Sequence, residues 1–201
     1  AGALPVQLEE ISARSVGATL GERAMELTIQ AGVIAGIVIA LYMVAYYRLP
    51  GLVAAISLIF YVYLILVVFN WMEAVLTLPG IAALVLGIGM AVDANIITNE
   101  RIKEEIRSGK SILSSFRAGS RRSLRTILDA NITTVLAAAV LFYYGDFSIQ
   151  GFALMLIVSI VLSMVTAVLG SRLLLGLLVA SRAFDSKPRW FGVKESEISE
   201  L

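Results

Sequence analysis

The sequence of 201 residues contains no cysteine and no histidine, and only 15% of its residues are charged. Without cysteine, disulfide frameworks and thiolate metal sites are excluded. Without histidine, a proton relay has to use carboxylates and water rather than imidazole, and we expect neither a metal site nor a cofactor. Hydrophobic residues make up 59% of the chain, and the mean hydropathy is +0.89. A soluble domain needs a more polar surface, so the composition predicts an all-α integral membrane protein.

Five apolar stretches are long enough to cross a bilayer, because a helix rises ~1.5 Å per residue and the hydrocarbon core is ~30 Å thick. We place these spans at about 28–47, 52–69, 78–99, 126–144 and 149–179. Residues 1–27 resemble the end of an extracytoplasmic domain, with a short strand and a connector containing Gly17 and Gly21. They lack the basic start and apolar run of a secretory signal, so we expect the chain to begin in mid-protein.

The positions of the basic residues predict the orientation of the spans. The segment 100–125 holds eight of the sixteen Lys and Arg residues, Arg101, Lys103, Arg107, Lys110, Arg117, Arg121, Arg122 and Arg125. By the positive-inside rule this segment is a cytoplasmic loop, and a loop touching anionic headgroups is favoured over a nucleic-acid site. Arg48 and the basic part of the tail, residues 181–201, fall on the same side, whereas Glu73 and Asp146 fall outside. The N-terminal segment is therefore expected outside the cell membrane and the tail inside, with Trp190 and Phe191 as a surface anchor.

The third span contains a carboxylate, Asp93, within a long apolar run. A charged group at the centre of a spanning helix costs roughly 2.5 to 3.5 kcal/mol on insertion scales. Asp93 lies eight positions before Arg101, which is ~12 Å along a helix and hence near the bilayer middle. Desolvation favours the neutral acid and a wet opening favours the charged form. Asp93 is therefore predicted to face a bundle interior or a wet cavity and to take and release a proton.

The same helix carries small or amide side chains at every fourth position, namely Ala83, Gly87, Ala91, Asn95 and Asn99. Residues four apart lie on one helix face, so this strip projects nearly opposite to Asp93. The third span is thus predicted to pack against partner helices on more than one side. Gly32 and Gly36 of the first span have the spacing that allows close helix contact.

The fourth span repeats the tripeptide Asp-Ala-Asn as Asp129-Ala130-Asn131, and Thr133 follows one turn after Asp129. We predict a relay formed by Asp93, Asn95, Asp129, Asn131 and Thr133. For Asp129 the rival interpretation is a structural ion pair at the inner interface with Arg125, only ~6 Å away along the axis. Three hydroxyl residues of the last span, Ser159, Ser163 and Thr166, share one helix face. They either hold a water chain near the acids or hydrogen-bond to their own backbone and a neighbouring helix.

Five short motifs resemble the SecD family, the membrane subunit of the SecD/SecF protein-export machinery, which is similar to resistance-nodulation-division transporters. They are LPGI at 78–81, GMAVDANI at 89–96, ERIKEE at 100–105, TILDANITT at 126–134 and GFA at 151–153. The resemblance implies helices two to six of SecD and a cytoplasmic amphipathic helix after Asn99. Residues 1–8 resemble the last strand of the family's extracytoplasmic domain, while the first helix and most of that domain have no counterpart here.

By the same resemblance, this chain forms half of a pseudo-symmetric bundle whose other half comes from SecF, and Asp93 matches the acid linked to proton flow. The expected function is that of a proton-driven, non-enzymatic accessory of the Sec translocase in a bacterial-type inner membrane. The expected partners are SecF, the SecYEG channel, preproteins and membrane lipids.

Two alternative functions remain. The first is a small-molecule or lipid exporter of the same superfamily. The second is an intramembrane aspartyl protease, which the sequence disfavours. In such proteases the two aspartates lie in Tyr-Asp and Gly-x-Gly-Asp motifs. Here Leu128 precedes Asp129, and three residues separate Gly89 from Asp93.

Overall fold

The computed structural model describes residues 18–72, 77–181 and 188–198, and all regular structure within these ranges is helical. The six α-helices within these ranges are α1 (Ala18–Tyr47), α2 (Leu49–Trp71), α3 (Leu78–Arg107), α4 (Ile112–Tyr144), α5 (Phe147–Ser163) and α6 (Ser171–Ala180). A π-helical segment, Met164–Gly170, joins α5 to α6, and the described part of the tail holds two 3-10 turns, Pro188–Phe191 and Glu195–Glu197. The strand expected near residues 1–8 lies outside the described residues. So does Glu73, which was expected on the outer side of the membrane.

Five helical segments of the described chain are long and apolar enough to span a membrane. They are Met25–Tyr47, Leu49–Trp71, Pro79–Arg107, Ile112–Tyr144 and Phe147–Ala180. The chain is therefore a multi-pass membrane protein, and the predicted number of spans is confirmed. The start of the first helix differs from the prediction. Helix α1 already starts at Ala18, so Gly21 of the expected connector lies within a helix.

The stretch 100–125, expected as a cytoplasmic loop with its own amphipathic helix, consists mainly of the ends of α3 and α4. Only residues 108–111 interrupt them: Gly109 adopts a positive φ of 81°, and the Ser111 hydroxyl caps α4 by accepting from the Ser114 amide at 3.4 Å. Glu, Lys and Arg are good helix formers, and the i,i+3 pair of Arg101 with Glu104 at 2.8 Å adds modest support. The spanning helices therefore continue beyond the apolar region.

A buried carboxylate ties these two extensions together. The side chain of Glu105 on α3 is 4% exposed and forms ion pairs with Lys110 and with Arg122 of α4. Both cations remain largely exposed, so the carboxylate is satisfied while their charges stay hydrated. The α3–α4 hairpin is thus fixed at its polar end as well as within the bundle.

Helix α3 lies at the centre of the bundle and packs most extensively against α5. The strip predicted from the four-residue spacing is buried, with Ala83 at 0% and Ala91 at 1% exposure. A Cβ on Gly87 would lie 2.6 Å from both the Cβ of Ser159 and the hydroxyl of Tyr61. The absence of a side chain at position 87 therefore lets α2, α3 and α5 approach one another closely.

The Gly32 and Gly36 pair of α1 does not mediate packing within the described chain. A Cβ at either position would meet no atom within 4 Å. The close contact of α1 lies instead near its C-terminal end. There a Cβ on Gly51 of α2 would lie 1.8 Å from the carbonyl oxygen of Met43.

Gly51→Ala is therefore expected to destabilise the protein by about 2 kcal/mol, because a methyl group cannot fit without moving the backbone of α1 away from α2. Thermal unfolding of the detergent-solubilised protein measures this as a lower midpoint. Gly36→Ala is the matched control and should leave the midpoint unchanged or raise it, since alanine favours a helix. Equal midpoints for both variants would contradict the observed helix approach.

Candidate functional site

The carboxylate of Asp93 lies on the outer face of α3. Its neighbours Val92 and Ala94 are only 7% and 5% exposed, whereas Asp93 itself is exposed. One and two turns earlier on the same face lie Gly89, near which a Cβ would meet nothing, and Leu86, which is 49% exposed. No described side chain donates a hydrogen bond to this carboxylate. Within this chain, Asp93 thus faces away from α5 on an open, mostly apolar surface.

Asn95 lies on the opposite side of α3, in the bundle interior. It is 4% exposed, and its Nδ2 donates to the carbonyl of Ala91 at 3.3 Å. One turn further, Asn99 is 5% exposed, and its Nδ2 has no hydrogen-bond partner in the described part of the chain. The two faces of α3 therefore carry separate polar groups, as the spacing predicted, and Asn95 does not contact Asp93.

The three relay candidates of α4 point to different partners. Asp129 is exposed, and the Thr133 hydroxyl donates to its backbone carbonyl at 2.9 Å rather than to its carboxylate. Asn131 Nδ2 donates to the Sδ atom of Met164 at 3.0 Å. Between residues 112 and 144 the structure shows no ion pair of Arg125 with Asp129. The predicted relay residues of α4 therefore do not lie together. Asp129 and Thr133 are exposed, whereas Asn131 contacts Met164.

The hydroxyl residues of the last span are buried, and two of them bond within their own helix. Ser163 donates to the carbonyl of Ile160 at 2.8 Å and Thr166 to that of Leu162 at 2.9 Å. The hydroxyls of Ser159 and Tyr61 are buried without a hydrogen-bond partner among the described atoms. Both lie against Gly87, where α2, α3 and α5 meet. Because buried hydroxyls are usually hydrogen-bonded, these two can still bond to each other or to a water molecule.

A polar cluster that was not predicted lies between α3, α4 and α6. Arg172 of α6 donates through Nη2 to the Ser123 hydroxyl at 3.0 Å. The Thr98 hydroxyl of α3 lies 3.1 Å from the same oxygen. An arginine in an apolar span is rare and commonly functional, so Arg172 was the available signal. The cluster links α3, α4 and α6.

The π-helical segment Met164–Gly170 receives polar contacts from two other helices. Ser57 of α2 donates to the carbonyl of Thr166 at 2.7 Å, and Asn131 of α4 contacts Met164. Short π-helical stretches within α-helices frequently mark functional sites. The sequence predicted one continuous helix for the last span, because it has no proline or polar run near the π-helical segment.

Residues 3–180 match the family of protein export membrane proteins SecD/SecF, C-terminal part. The chain is 59% identical over 201 residues to the protein translocase subunit SecDF of Bacillus subtilis, covering 100% of this chain and 27% of that protein. It is 48% identical over 193 residues to the protein translocase subunit SecD of Acidaminococcus fermentans, covering 96% and 46%.

A crystal structure of SecDF from Thermus thermophilus, described as a translocon-associated membrane protein, has a similar fold. The TM-score is 0.79 at 42% identity, and the match covers 85% of this chain and 24% of that one. The chain thus spans between about a quarter and a half of the length of these relatives. The matched family, the identities and the five-span bundle together show that this chain belongs to the SecD/SecF family of protein export membrane proteins.

Proposed function

We propose that this chain is the membrane part of an accessory subunit of the Sec protein translocase, in which proton movement promotes the export of preproteins. Its relatives are named protein translocase subunits. The observation that carries the mechanism is the position of Asp93, an acid within a spanning helix on a face that this chain leaves open. We infer that Asp93 is the group that binds and releases the proton.

The open face indicates that another unit covers Asp93 in the whole protein. A carboxylate facing lipid at this depth is costly, and this chain spans only 27% of the SecDF relative. The remainder of a longer polypeptide, or a separate SecF subunit, has the length to supply the missing wall. The proton path then runs between the two halves of the bundle, with Asp129 on the exposed side of α4 as the second acid.

The interior polar groups support a different role. Asn95 and Asn131 are bonded inside this half-bundle, and the exposed Thr133 bonds to the backbone of its own helix. We assign all three to positioning the helices that carry the acids. Ser159, beside Tyr61, is the relay candidate of the last span, whereas Ser163 and Thr166 serve packing. Protonation of Asp93 then changes the packing of α3 against α5.

The orientation follows from charge. Arg48, Lys103 and Arg189 come from three different parts of the chain and line one cavity, so the basic segments lie at the same end of the bundle. The positive-inside rule makes that end cytoplasmic. A proton moving inwards releases ~2.3 kcal/mol per 100 mV, which is sufficient to bias a conformational equilibrium appreciably.

The proposal is tested with the full-length protein in its native membrane. Completion of preprotein export is measured with and without a protonophore, in cells that contain or lack the protein, with ATP held constant. We expect the protein to accelerate export only while the proton gradient is present. Stimulation that is insensitive to the protonophore would reject the proton-driven mechanism. Unchanged export together with sensitivity to a toxic compound would favour the small-molecule exporter instead.

A further inference from the structure

A cavity of about 820 Å³ opens at the basic end of the bundle, between the end of α1, the extension of α3 and the tail. Its charged lining consists of Arg48, Lys103, Arg107, Arg189, Lys194 and Glu197. Five cations thus face one carboxylate. Glu197 is paired with Arg107 at 3.0 Å, and Glu100 lies 3.3 Å from Lys103. Among the described side chains, Arg48 and Lys194 of this lining form no ion pair, so the cavity offers cations to an anionic ligand.

The cavity lies where an apolar span ends. Tyr47 is the last residue of the span Met25–Tyr47, and its neighbours Ala45 and Tyr46 line the cavity. Aromatic residues at this level are typical of the headgroup region. One turn before Ala45, Leu41 is 66% exposed, so the cavity is continuous with an exposed apolar face of α1. A ligand with both an anionic group and an acyl chain fits this combination.

The walls of the cavity are held in place by buried contacts. Lys103 is 3% exposed, and its Nζ lies 4.0 Å from the centre of the Tyr46 ring. The tail is anchored by Phe191 and Val193, at 0% and 1% exposure. Between them Gly192 has a φ of 73°, and a Cβ there would lie 2.8 Å from the Tyr46 carbonyl oxygen. Only glycine permits this approach of the tail to α1, so the cavity is built before any ligand arrives.

We propose that this cavity binds the phosphate headgroup of an anionic membrane phospholipid, whose acyl chains lie along the exposed face of α1. Basic pockets at the cytoplasmic ends of spanning helices bind lipid phosphates in this way. The cations of its lining provide the charge, and the burial of Lys103 fixes one donor. Because the tail supplies Arg189 and Lys194, the bound lipid joins the tail to α1. This inference goes beyond the proposed function and does not depend on proton transport.

The test measures binding of phosphatidylglycerol to the purified full-length protein by native mass spectrometry, with phosphatidylcholine as the neutral comparison. The double variant Arg48→Gln with Lys194→Gln removes two cations that form no ion pair with a described residue. We expect its affinity for phosphatidylglycerol to fall by roughly tenfold to thirtyfold. The matched control, Arg117→Gln with Arg121→Gln, removes two exposed cations of α4 outside the cavity, so its loss of affinity should be clearly smaller than that of the cavity variant.

A third variant is expected to act in the opposite direction. Glu197→Gln removes a negative charge from the lining of the cavity, so the affinity for phosphatidylglycerol should rise about threefold to fivefold. Equal losses in the cavity variant and the control would overturn the proposal. It would also be overturned if inorganic phosphate, or an oligoglutamate peptide, bound with the same dependence on these residues while phosphatidylglycerol did not. Those results would assign the cavity to a soluble anion or to an acidic peptide.

Discussion

Asp93→Asn is expected to abolish the proton-dependent part of protein export, bringing it to the level of membranes that lack the protein. Asparagine keeps the size and polarity of the side chain but cannot take up or release a proton. Because Asp93 lies on the outer face of α3 and receives no hydrogen bond from a described residue, the substitution leaves the packing of this chain intact. Insertion and abundance should therefore be unchanged.

The measurement compares protonophore-sensitive export in cells that contain the full-length variant or the unmodified protein. The matched control is Glu104→Gln, a change of carboxylate to amide on the same helix. The Glu104 side chain is 54% exposed and pairs only with Arg101 in the described chain, and an exposed pair of this kind contributes little. The control should export normally. Normal proton-dependent export by Asp93→Asn would remove Asp93 from the mechanism.

Phe191→Ala is expected to release the tail from the helix ends. Phe191 is fully buried among apolar residues of α2, α3, α4 and α6, a cluster formed by Val53, Ile102, Ile106, Ile112, Leu175, Val179 and Val193. Truncating a buried phenylalanine costs about 3 kcal/mol or more. The docked tail should therefore open roughly a hundredfold more often, and limited proteolysis of the purified protein should cut the tail correspondingly faster.

Trp190→Ala provides the comparison within the same turn, because Trp190 is 49% exposed. It removes a half-exposed ring rather than a fully buried one, so the rate of tail cleavage should rise clearly less than in Phe191→Ala. Similar acceleration by both variants would show that the tail is held by general surface contacts rather than by the Phe191 site. From the sequence, the two aromatic residues were expected to form one surface anchor. In the structure, Phe191 is a core residue and Trp190 is not.

Much of the architecture could be predicted because it depends on short-range patterns. Apolar runs of sufficient length determine the number of spans, and the small residues at positions 83, 87 and 91 mark the buried side of α3. Helix periodicity alone places Asn95 nearly opposite Asp93. These properties follow from the rise and turn of a helix and from the cost of polar groups in hydrocarbon.

The helix ends were predicted less well, since charged residues can form a stable helix outside the membrane as readily as a loop. The segment 100–125 illustrates this. Its composition predicts contact with water and headgroups, and that does not distinguish a loop from helix extensions. The pairing of Glu105 with Lys110 and Arg122 depends on how α4 folds back against α3 after the turn at 108–111.

The sequence by itself determined that this chain spans a membrane five times, that one span carries an acid, and that basic residues follow that span. The tertiary structure decided that Asp93 lies on an open face while Asn95 is buried in the bundle, that Arg172 meets Ser123, and that the tail closes a basic cavity against α1. The physical reason is that burial and contact arise between segments far apart in the chain. A local pattern specifies which face a side chain occupies, but only packing specifies what lies opposite it.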